Sequence, residues 1–204
     1  AALEDTVGFA ERRRDVGDVA DAERDRIGVE EAAGALQRLR VGLGPYQTVD
    51  PALLRAFEIA RRSDPAFGLV LVGPAGWGAV EMPSVGGVHL LGFWAADDLH
   101  AAYAGARAFC YPSLREGFGL PVLEAMAHGV PVVTSAGSSM AEFAEGAGIL
   151  VDPSDVDALA AGLLAAMDDR HDELATAALE RASHYSWDAA AELTVTAYRE
   201  AVGA

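Results

Sequence analysis

The amino-acid sequence predicts an α/β protein built on one doubly wound parallel sheet. Short apolar runs alternate along the chain with segments of roughly ten to fifteen residues that have helical periodicity. Polar residues rarely interrupt the apolar runs, which is typical of parallel strands buried on both faces. This alternation favours a single Rossmann-like domain that has helices on both sides of the sheet and further helices at its C-terminal end.

The strands and helices can be placed by their flanking residues. The first strand is predicted at Leu39–Leu43, ahead of the turn signal Gly44-Pro45. Asp50-Pro51 has the residue types of an N-cap and a first helical position. Further strands are predicted at 67–72, 88–91, 106–111, 130–134 and 148–151. Further helices are predicted after 97–98, at 120–127, near 139–142, after 153–154, and at 171–183 and 187–202.

Three segments differ in composition. Residues 1–40 are crowded with Glu, Asp and Arg and are interpreted as a partly helical or disordered lead-in, with the remnant of a missing N-terminal domain as an open alternative. Residues 41–186 form the predicted Rossmann-like domain. Residues 187–204 form a C-terminal helix whose apolar residues, Ala190, Leu193 and Tyr198, are either exposed or folded onto the domain.

The composition disfavours several classes of function. The 204 residues carry a formal net charge of −16, and this acidic field repels nucleic acid and anionic membrane surfaces. No apolar run approaches the length of a membrane span. The single cysteine, Cys110, excludes an intrachain disulfide and favours a cytoplasmic location. His, Cys and the carboxylates show no metal-ligand spacing, so no metal is expected.

The most informative stretch runs from Glu116 to Glu124. It follows an apolar strand pattern and contains a glycine turn, then Pro121 and a helical pattern. The N–H groups in the first turn of a helix, together with the helix dipole, favour a bound anion. Pro121 fits the first turn because its missing N–H costs nothing there. The residues alone therefore predict an anion site flanked by two carboxylates.

A longer phrase around this stretch resembles a known family. Residues 109–133 read FCYPSLREGFGLPVLEAMAHGVPVV, which is similar to the signature of retaining GT-B glycosyltransferases of family four, also called group 1. Four shorter segments match the family in order and spacing: Leu71–Pro74, Leu91–Phe93, Ala102–Ala106 and Leu150–Pro153. Residues 67–202 thus resemble the C-terminal, donor-binding half of such an enzyme.

The resemblance implies that a nucleotide-diphosphate sugar is the donor, with no cofactor or metal. It assigns Glu116 to the hydroxyls of the transferred sugar as the catalytic-type residue, and Glu124 to the two ribose hydroxyls. The remaining donor-binding residues that it implies are Gly117, Phe118, Gly119, Leu120, Gly73, Phe93 and Trp94. The acceptor, which is a sugar, a lipid-linked molecule or another small molecule, is not specified.

Two departures from the family pattern leave alternatives open. Gln47 and Thr48 occupy the slots where the family has an Arg-Lys pair that clamps the diphosphate. The N-terminal Rossmann domain of the family has no counterpart in residues 1–40. The chain is therefore expected to be inactive by itself, and a non-catalytic nucleotide-sugar-binding or interaction module is the alternative. Other GT-B chemistry, such as that of a phosphorylase or an epimerase, is disfavoured because no lysine is available for a pyridoxal Schiff base.

Overall fold

The computed structural model of the chain describes residues 40–45, 51–72, 86–91 and 94–203. Its strands are β1 (Arg40–Pro45), β2 (Phe67–Val72), β3 (Val88–Leu90), β4 (Phe109–Tyr111), β5 (Val132–Ser135) and β6 (Ile149–Val151). Its helices are α1 (Pro51–Ser63), α2 (Ala96–Gly105), α3 (Leu120–Ala127), α4 (Ser139–Ala144), α5 (Val156–Met167), α6 (His171–Ala182) and α7 (Trp187–Ala201). This succession confirms the predicted α/β class.

The described strands are all parallel and fall into two hydrogen-bonded sets. One set has the order β1-β2-β3 and the other β4-β5-β6. Residues of β1 and β4 lie side by side, with Cα atoms within 8 Å. The strands therefore follow the order 3-2-1-4-5-6, which is the order of the doubly wound Rossmann fold.

Both faces of the sheet are covered by helices. In β4, Phe109 and Tyr111 belong to the apolar cluster that includes residues of α2, α3 and α4, whereas Cys110 between them belongs to the cluster with α1 and α5. Val132 and Val133 in β5 divide in the same way. Because successive strand residues point to opposite faces, strands buried on both sides must be apolar throughout, as the sequence shows.

Helix α1 illustrates how the apolar spacing positions a helix. Leu53, Ala56, Phe57 and Ala60 are buried at the i, i+3, i+4 and i+7 spacing of a single helix face. They pack in the same cluster as Leu159 of α5. The predicted helix after Asp50-Pro51 is thereby confirmed, with Pro51 as its first residue.

Several predicted boundaries were wrong for identifiable reasons. The first strand does not end at Leu43 ahead of a turn, because β1 continues through Gly44 and Pro45, which pair with Leu71 and Val72 of β2. The apolar run 106–111 divides, since Ala106 closes α2 by donating its N–H to the Tyr103 carbonyl at 3.0 Å. Only residues 109–111 then pair as a strand.

The residues Ser138-Ser139 and Glu142 have a spacing like that of a capping box, but the structure forms no such box. Ser138 is the N-cap of α4, but its hydroxyl makes no capping bond. It donates instead to the carbonyl oxygen of Ser135 at 2.7 Å. The hydroxyl thus ties α4 to the carboxyl end of β5.

Helix α7 has no buried residue. The apolar side chains of Leu193 and Tyr198 are 72% and 70% exposed, so the first of the two alternatives for this helix describes the structure. Within the described ranges, no helix has both the length and the apolar character needed to cross a membrane.

Candidate donor-binding site

The site lies where the strand order reverses. From β1 the chain proceeds to β2 and β3 on one side, whereas β4 begins the series on the other side. In open α/β sheets, ligands bind beside the carboxyl ends of the strands at such a reversal. The carboxyl end of β4 is Tyr111, and the residues after it, 112–119, are called the site loop below. The site loop leads directly into α3.

Gly119 makes the turn from the site loop into α3. It is the N-cap residue, with φ at 97° and ψ at 42°, a left-handed conformation that favours glycine. A Cβ at this position would overlap Cγ of Met140. The helix begins without a side-chain cap and with proline in its first turn. The N–H of Leu120 is therefore left to water or to a ligand, whereas that of Val122 donates to the carbonyl of Gly119 at 3.0 Å.

Glu116 is held at the start of the site by a tyrosine. The Tyr111 hydroxyl donates to Oε1 of Glu116 at 2.6 Å. Burial of the Tyr111 ring, followed by its hydrogen bond to Glu116 and the charge of that carboxylate, raises the pKa of Tyr111 well above its ordinary value. The hydroxyl therefore remains a donor at neutral pH, and it occupies one of the two carboxylate oxygens.

The backbone of the site loop is fixed by α4. The Ser139 hydroxyl lies 3.2 Å from the carbonyl oxygen of Glu116 and 3.2 Å from that of Phe118. The ring of Phe118 stacks on Phe143, with centroids 5.1 Å apart, and its side chain is 42% exposed. These contacts hold the peptide groups around Gly117 in one conformation.

Glu124 lies within α3 and also accepts a hydrogen bond from a tyrosine. The Tyr103 hydroxyl of α2 donates to Oε2 of Glu124 at 3.2 Å. Burial, then the charge of Glu124 and the hydrogen bond to it, raise the pKa of Tyr103 well above its ordinary value. Among the described residues, Glu116 and Glu124 accept no other side-chain hydrogen bond through their carboxylates.

Two histidines close the far end of α3. Nδ1 of His128 lies 2.8 Å from the carbonyl oxygen of Glu124, and its Nε2 lies 3.3 Å from Nδ1 of His100. If Nδ1 of His128 carries the proton and donates to that carbonyl, Nε2 is left to accept from His100. His128 thus contacts a carbonyl in the last turn of the helix that carries Glu124, and His100 contacts His128.

The structure brings together six of the residues implied by the resemblance: Glu116, Gly117, Phe118, Gly119, Leu120 and Glu124. Leu120 is 42% exposed, and Gly117 is exposed with open space where a Cβ would lie. Trp94 is partly buried against the cluster that contains Tyr103. The other four, Gly73, Phe93, Gln47 and Thr48, lie outside the described residues.

The sequence reasoning missed Tyr103, Tyr111 and Ser139. A signal was present for Tyr111, because a polar-tipped residue ended an apolar strand just before the site loop. Tyr103 and Ser139 gave no comparable signal, since each reaches the site only through tertiary packing. Among the described residues there is no group of three or more His, Cys, Asp or Glu side chains that could hold a metal ion.

The fold is of the class found in GT-B glycosyltransferases. The chain superposes on HepE from Anabaena, solved in complex with UDP and glucose, with a TM-score of 0.67 over 87% of this chain and 52% of that one, at 22% identity. It superposes on sucrose-phosphate synthase from Thermosynechococcus elongatus with a TM-score of 0.68 over 87% of this chain and 49% of that one, at 23% identity.

The family is defined by sequence. The profile of the family described as "Glycosyl transferases group 1" matches residues 44–169, which is more than half of the chain. The chain therefore belongs to the group 1 glycosyl transferases, as the motif resemblance predicted.

Two curated relatives agree with this assignment. The chain is 41% identical over 157 residues to O-antigen chain mannosyltransferase B from Escherichia coli, covering 72% of this chain and 41% of the relative. It is 36% identical over 181 residues to D-inositol 3-phosphate glycosyltransferase from Corynebacterium urealyticum, covering 81% of this chain and 41% of the relative. The chain thus spans less than half the length of either one.

Proposed function

We propose that this chain is the donor-binding half of a retaining glycosyltransferase and binds a nucleotide-diphosphate sugar at the start of α3. The observation that carries the proposal is the arrangement of Glu116 and Glu124. Each carboxylate has one oxygen held by a tyrosine hydroxyl, and each belongs to the loop–helix unit at the reversal of strand order. The second oxygen of each carboxylate is left to accept hydrogen bonds from a ligand.

The chemistry of the site suits the parts of such a donor. A carboxylate suits the vicinal hydroxyls of a ribose, and charge-assisted hydrogen bonds of this kind are short and strong. We assign that role to Glu124. The N-terminus of α3 suits the diphosphate, and Glu116 suits hydroxyls of the transferred sugar. HepE, which shares the fold, was solved with UDP and glucose, and this supports a nucleotide and a sugar as the ligand.

In this proposal the protein contributes mainly electrostatics and positioning. The first turn of α3 stabilises negative charge that develops on the leaving diphosphate. Glu116 and the backbone around Gly117–Leu120 hold the sugar for attack on the face from which the diphosphate leaves, so that the anomeric configuration is retained. The donor phosphate takes the proton of the acceptor, and neither a metal nor another cofactor takes part.

Transfer requires more than this half. The chain spans 41% of each of the two curated relatives, and we assign the acceptor-binding surface to the part of those enzymes that it does not cover. The isolated chain is accordingly proposed to bind a donor without turning it over. We place this activity in the cytoplasm.

A non-catalytic nucleotide-sugar-binding or interaction module is the alternative. It is favoured by Gln47 and Thr48, because neither residue supplies the positive charge that the family's Arg-Lys pair brings to the diphosphate. Loss of two charge-assisted contacts with phosphate weakens the stabilisation of the transition state more than it weakens ground-state binding. Such a module still binds nucleotide through Glu124.

Calorimetric titration of the 204-residue chain with UDP, GDP and ADP tests the proposal. We expect saturable binding of at least one of them, and the same affinity in the presence of EDTA. No measurable binding of any of the three contradicts the proposal, and loss of binding in EDTA contradicts its metal-free form.

The same titration with the double variant Gln47→Arg, Thr48→Lys separates the alternatives: a gain of about tenfold or more for a nucleoside diphosphate over the nucleoside shows that these slots still face the phosphates.

A further inference from the structure

We propose that Tyr103 and Tyr111 are positioning residues that aim the two site carboxylates at different parts of the donor. Tyr103 acts on the ribose through Glu124, and Tyr111 acts on the transferred sugar through Glu116. This inference rests on the proposed function. It adds two residues that touch no part of the donor themselves, and it separates their effects.

The two hydroxyls make contacts of the same kind but of different length. The Tyr111 hydroxyl donates to Oε1 of Glu116 at 2.6 Å, and that of Tyr103 donates to Oε2 of Glu124 at 3.2 Å. Each bond occupies one oxygen of a carboxylate that has two. Since a carboxylate is planar, fixing one oxygen restricts the directions in which the other accepts.

Both tyrosines are rigidly held. The side chains of Tyr103 and Tyr111 are 3% and 5% exposed, and both rings pack against Phe109. The Tyr103 ring meets Phe109 edge-on with centroids 5.6 Å apart, and the Tyr111 ring stacks on it at 5.9 Å. A donor fixed by packing loses little freedom when its partner binds a ligand, so it can hold a functional side chain in its working geometry.

A tyrosine is a suitable partner for this role because it orients the carboxylate without neutralising its charge. An arginine or lysine in the same place would pair its charge with the carboxylate and compete with the ligand hydroxyls. A phenol donates one hydrogen bond and remains neutral, and the burial of both rings keeps it so at neutral pH. The carboxylate therefore keeps its negative charge for the ligand.

The two pairs lie on different elements, so their effects should be separable. Tyr103 belongs to α2 and reaches Glu124 within α3. Tyr111 ends β4 and reaches Glu116 in the site loop. Among the described residues, no hydrogen bond joins one pair to the other, and the two rings share only their packing against Phe109. Removing one hydroxyl should therefore affect only the part of the donor that its carboxylate serves.

The test removes each hydroxyl and measures discrimination between ligands. The 204-residue chain is titrated with whichever of UDP, GDP and ADP it binds most tightly, with the 2′-deoxy form of that nucleotide, and with its glucose or mannose ester. Tyr103→Phe is expected to reduce the preference for the ribonucleotide over the deoxy form about three- to tenfold. Tyr111→Phe is expected to leave that preference intact and to reduce affinity for the sugar ester relative to the diphosphate by a similar factor.

Ratios of affinities make the test independent of folding, because a smaller folded fraction weakens all ligands alike. Tyr198→Phe is the matched control, since it removes a hydroxyl from the exposed helix α7, and it should change neither ratio. One result overturns the inference: Glu124→Ala loses the preference for the ribonucleotide over its deoxy form, but Tyr103→Phe keeps the wild-type preference. A second result also overturns it: each tyrosine variant changes the ribose preference and the relative affinity for the sugar ester by the same factor. Failure of wild type to bind any of the nucleotides overturns the proposed function and this inference with it.

Discussion

At the scale of single residues, the shape of the site depends most directly on Gly119. Its positive φ of 97° costs an L-residue about 1–2 kcal/mol. Met140 fills the space where a Cβ would lie, so a substitution must also move a side chain that is 0% exposed. Conformation and packing thus both require glycine where the site loop enters α3.

Three glycine-to-alanine variants separate these two effects. Gly119→Ala is expected to lower the free energy of unfolding by about 2–4 kcal/mol, because it adds backbone strain to overpacking against Met140. Gly137→Ala, at φ 71° with nothing near its Cβ, should cost about 1–2 kcal/mol from strain alone. Gly117→Ala, which has open space, should stay within about 0.5 kcal/mol.

Urea denaturation of the three variants measures the differences. If Gly119→Ala costs no more than Gly137→Ala, Met140 yields freely and does not restrict the turn. A large loss for Gly117→Ala would show that the site loop is packed more tightly than the open space around this residue indicates.

The sequence was sufficient to predict which residues of the glutamate stretch would be brought together, because they are local to one loop and one helix. Gly119 and Pro121 predict the turn and the start of the helix, because their backbone conformations are restricted to or favoured at such positions. Tyr103 could not be assigned in the same way. Its contact with Glu124 depends on how α2 packs beside α3, and this packing cannot be predicted from the spacing of residues in the sequence.

At the scale of elements, α7 differs from the other described helices because it buries nothing. Its N-terminus is nevertheless well formed: Ser186 is the N-cap, and its hydroxyl accepts from the N–H of Ala189 at 3.1 Å. The preceding helix α6 buries Leu174, Ala178 and Ala182. Local capping therefore sets where α7 begins, while packing onto the domain contributes little to it.

Substitutions on the two helices should show this contrast. The double variant Leu193→Gln, Tyr198→Gln on α7 is expected to change the free energy of unfolding by less than about 0.5 kcal/mol. Leu174→Ala on α6, where the side chain is 1% exposed, should cost about 2–5 kcal/mol. Thermal or urea denaturation measures both, and a loss in the double variant as large as that of Leu174→Ala would mean that α7 packs against the domain in solution.

Element boundaries were predictable where a terminal signal was unambiguous. Helix α3 was predicted at 120–127 and is found there, because a glycine precedes it, a proline opens it and Gly129 at φ 69° follows it. Helix α4 had the residue spacing of a capping box, yet the hydroxyl of Ser138 is drawn to the carbonyl of Ser135. A hydrogen bond to the carbonyl three residues earlier, at the end of β5, took the place of the capping bond that the spacing indicated.

At the scale of the whole molecule, the strand order 3-2-1-4-5-6 explains why one short stretch dominates the chain. The reversal between β1 and β4 opens a crevice at their carboxyl ends, and the site loop and α3 begin there. The sequence predicted the parallel, doubly wound class from apolar runs alone. It could not give the strand order, since β1 and β4 are neighbours without being consecutive along the chain, and their adjacency depends on tertiary packing.

The central proposal is that Glu124 binds the ribose hydroxyls of a nucleotide donor, and one calorimetric comparison tests it most directly. Wild type and Glu124→Ala are titrated with a nucleoside diphosphate and with its 2′,3′-dideoxy form. We predict that wild type binds the ribonucleotide about tenfold or more tightly than the dideoxy form, because two charge-assisted hydrogen bonds are lost with the hydroxyls, and that Glu124→Ala binds the two forms equally. An undiminished preference for the ribonucleotide in Glu124→Ala would contradict the claim.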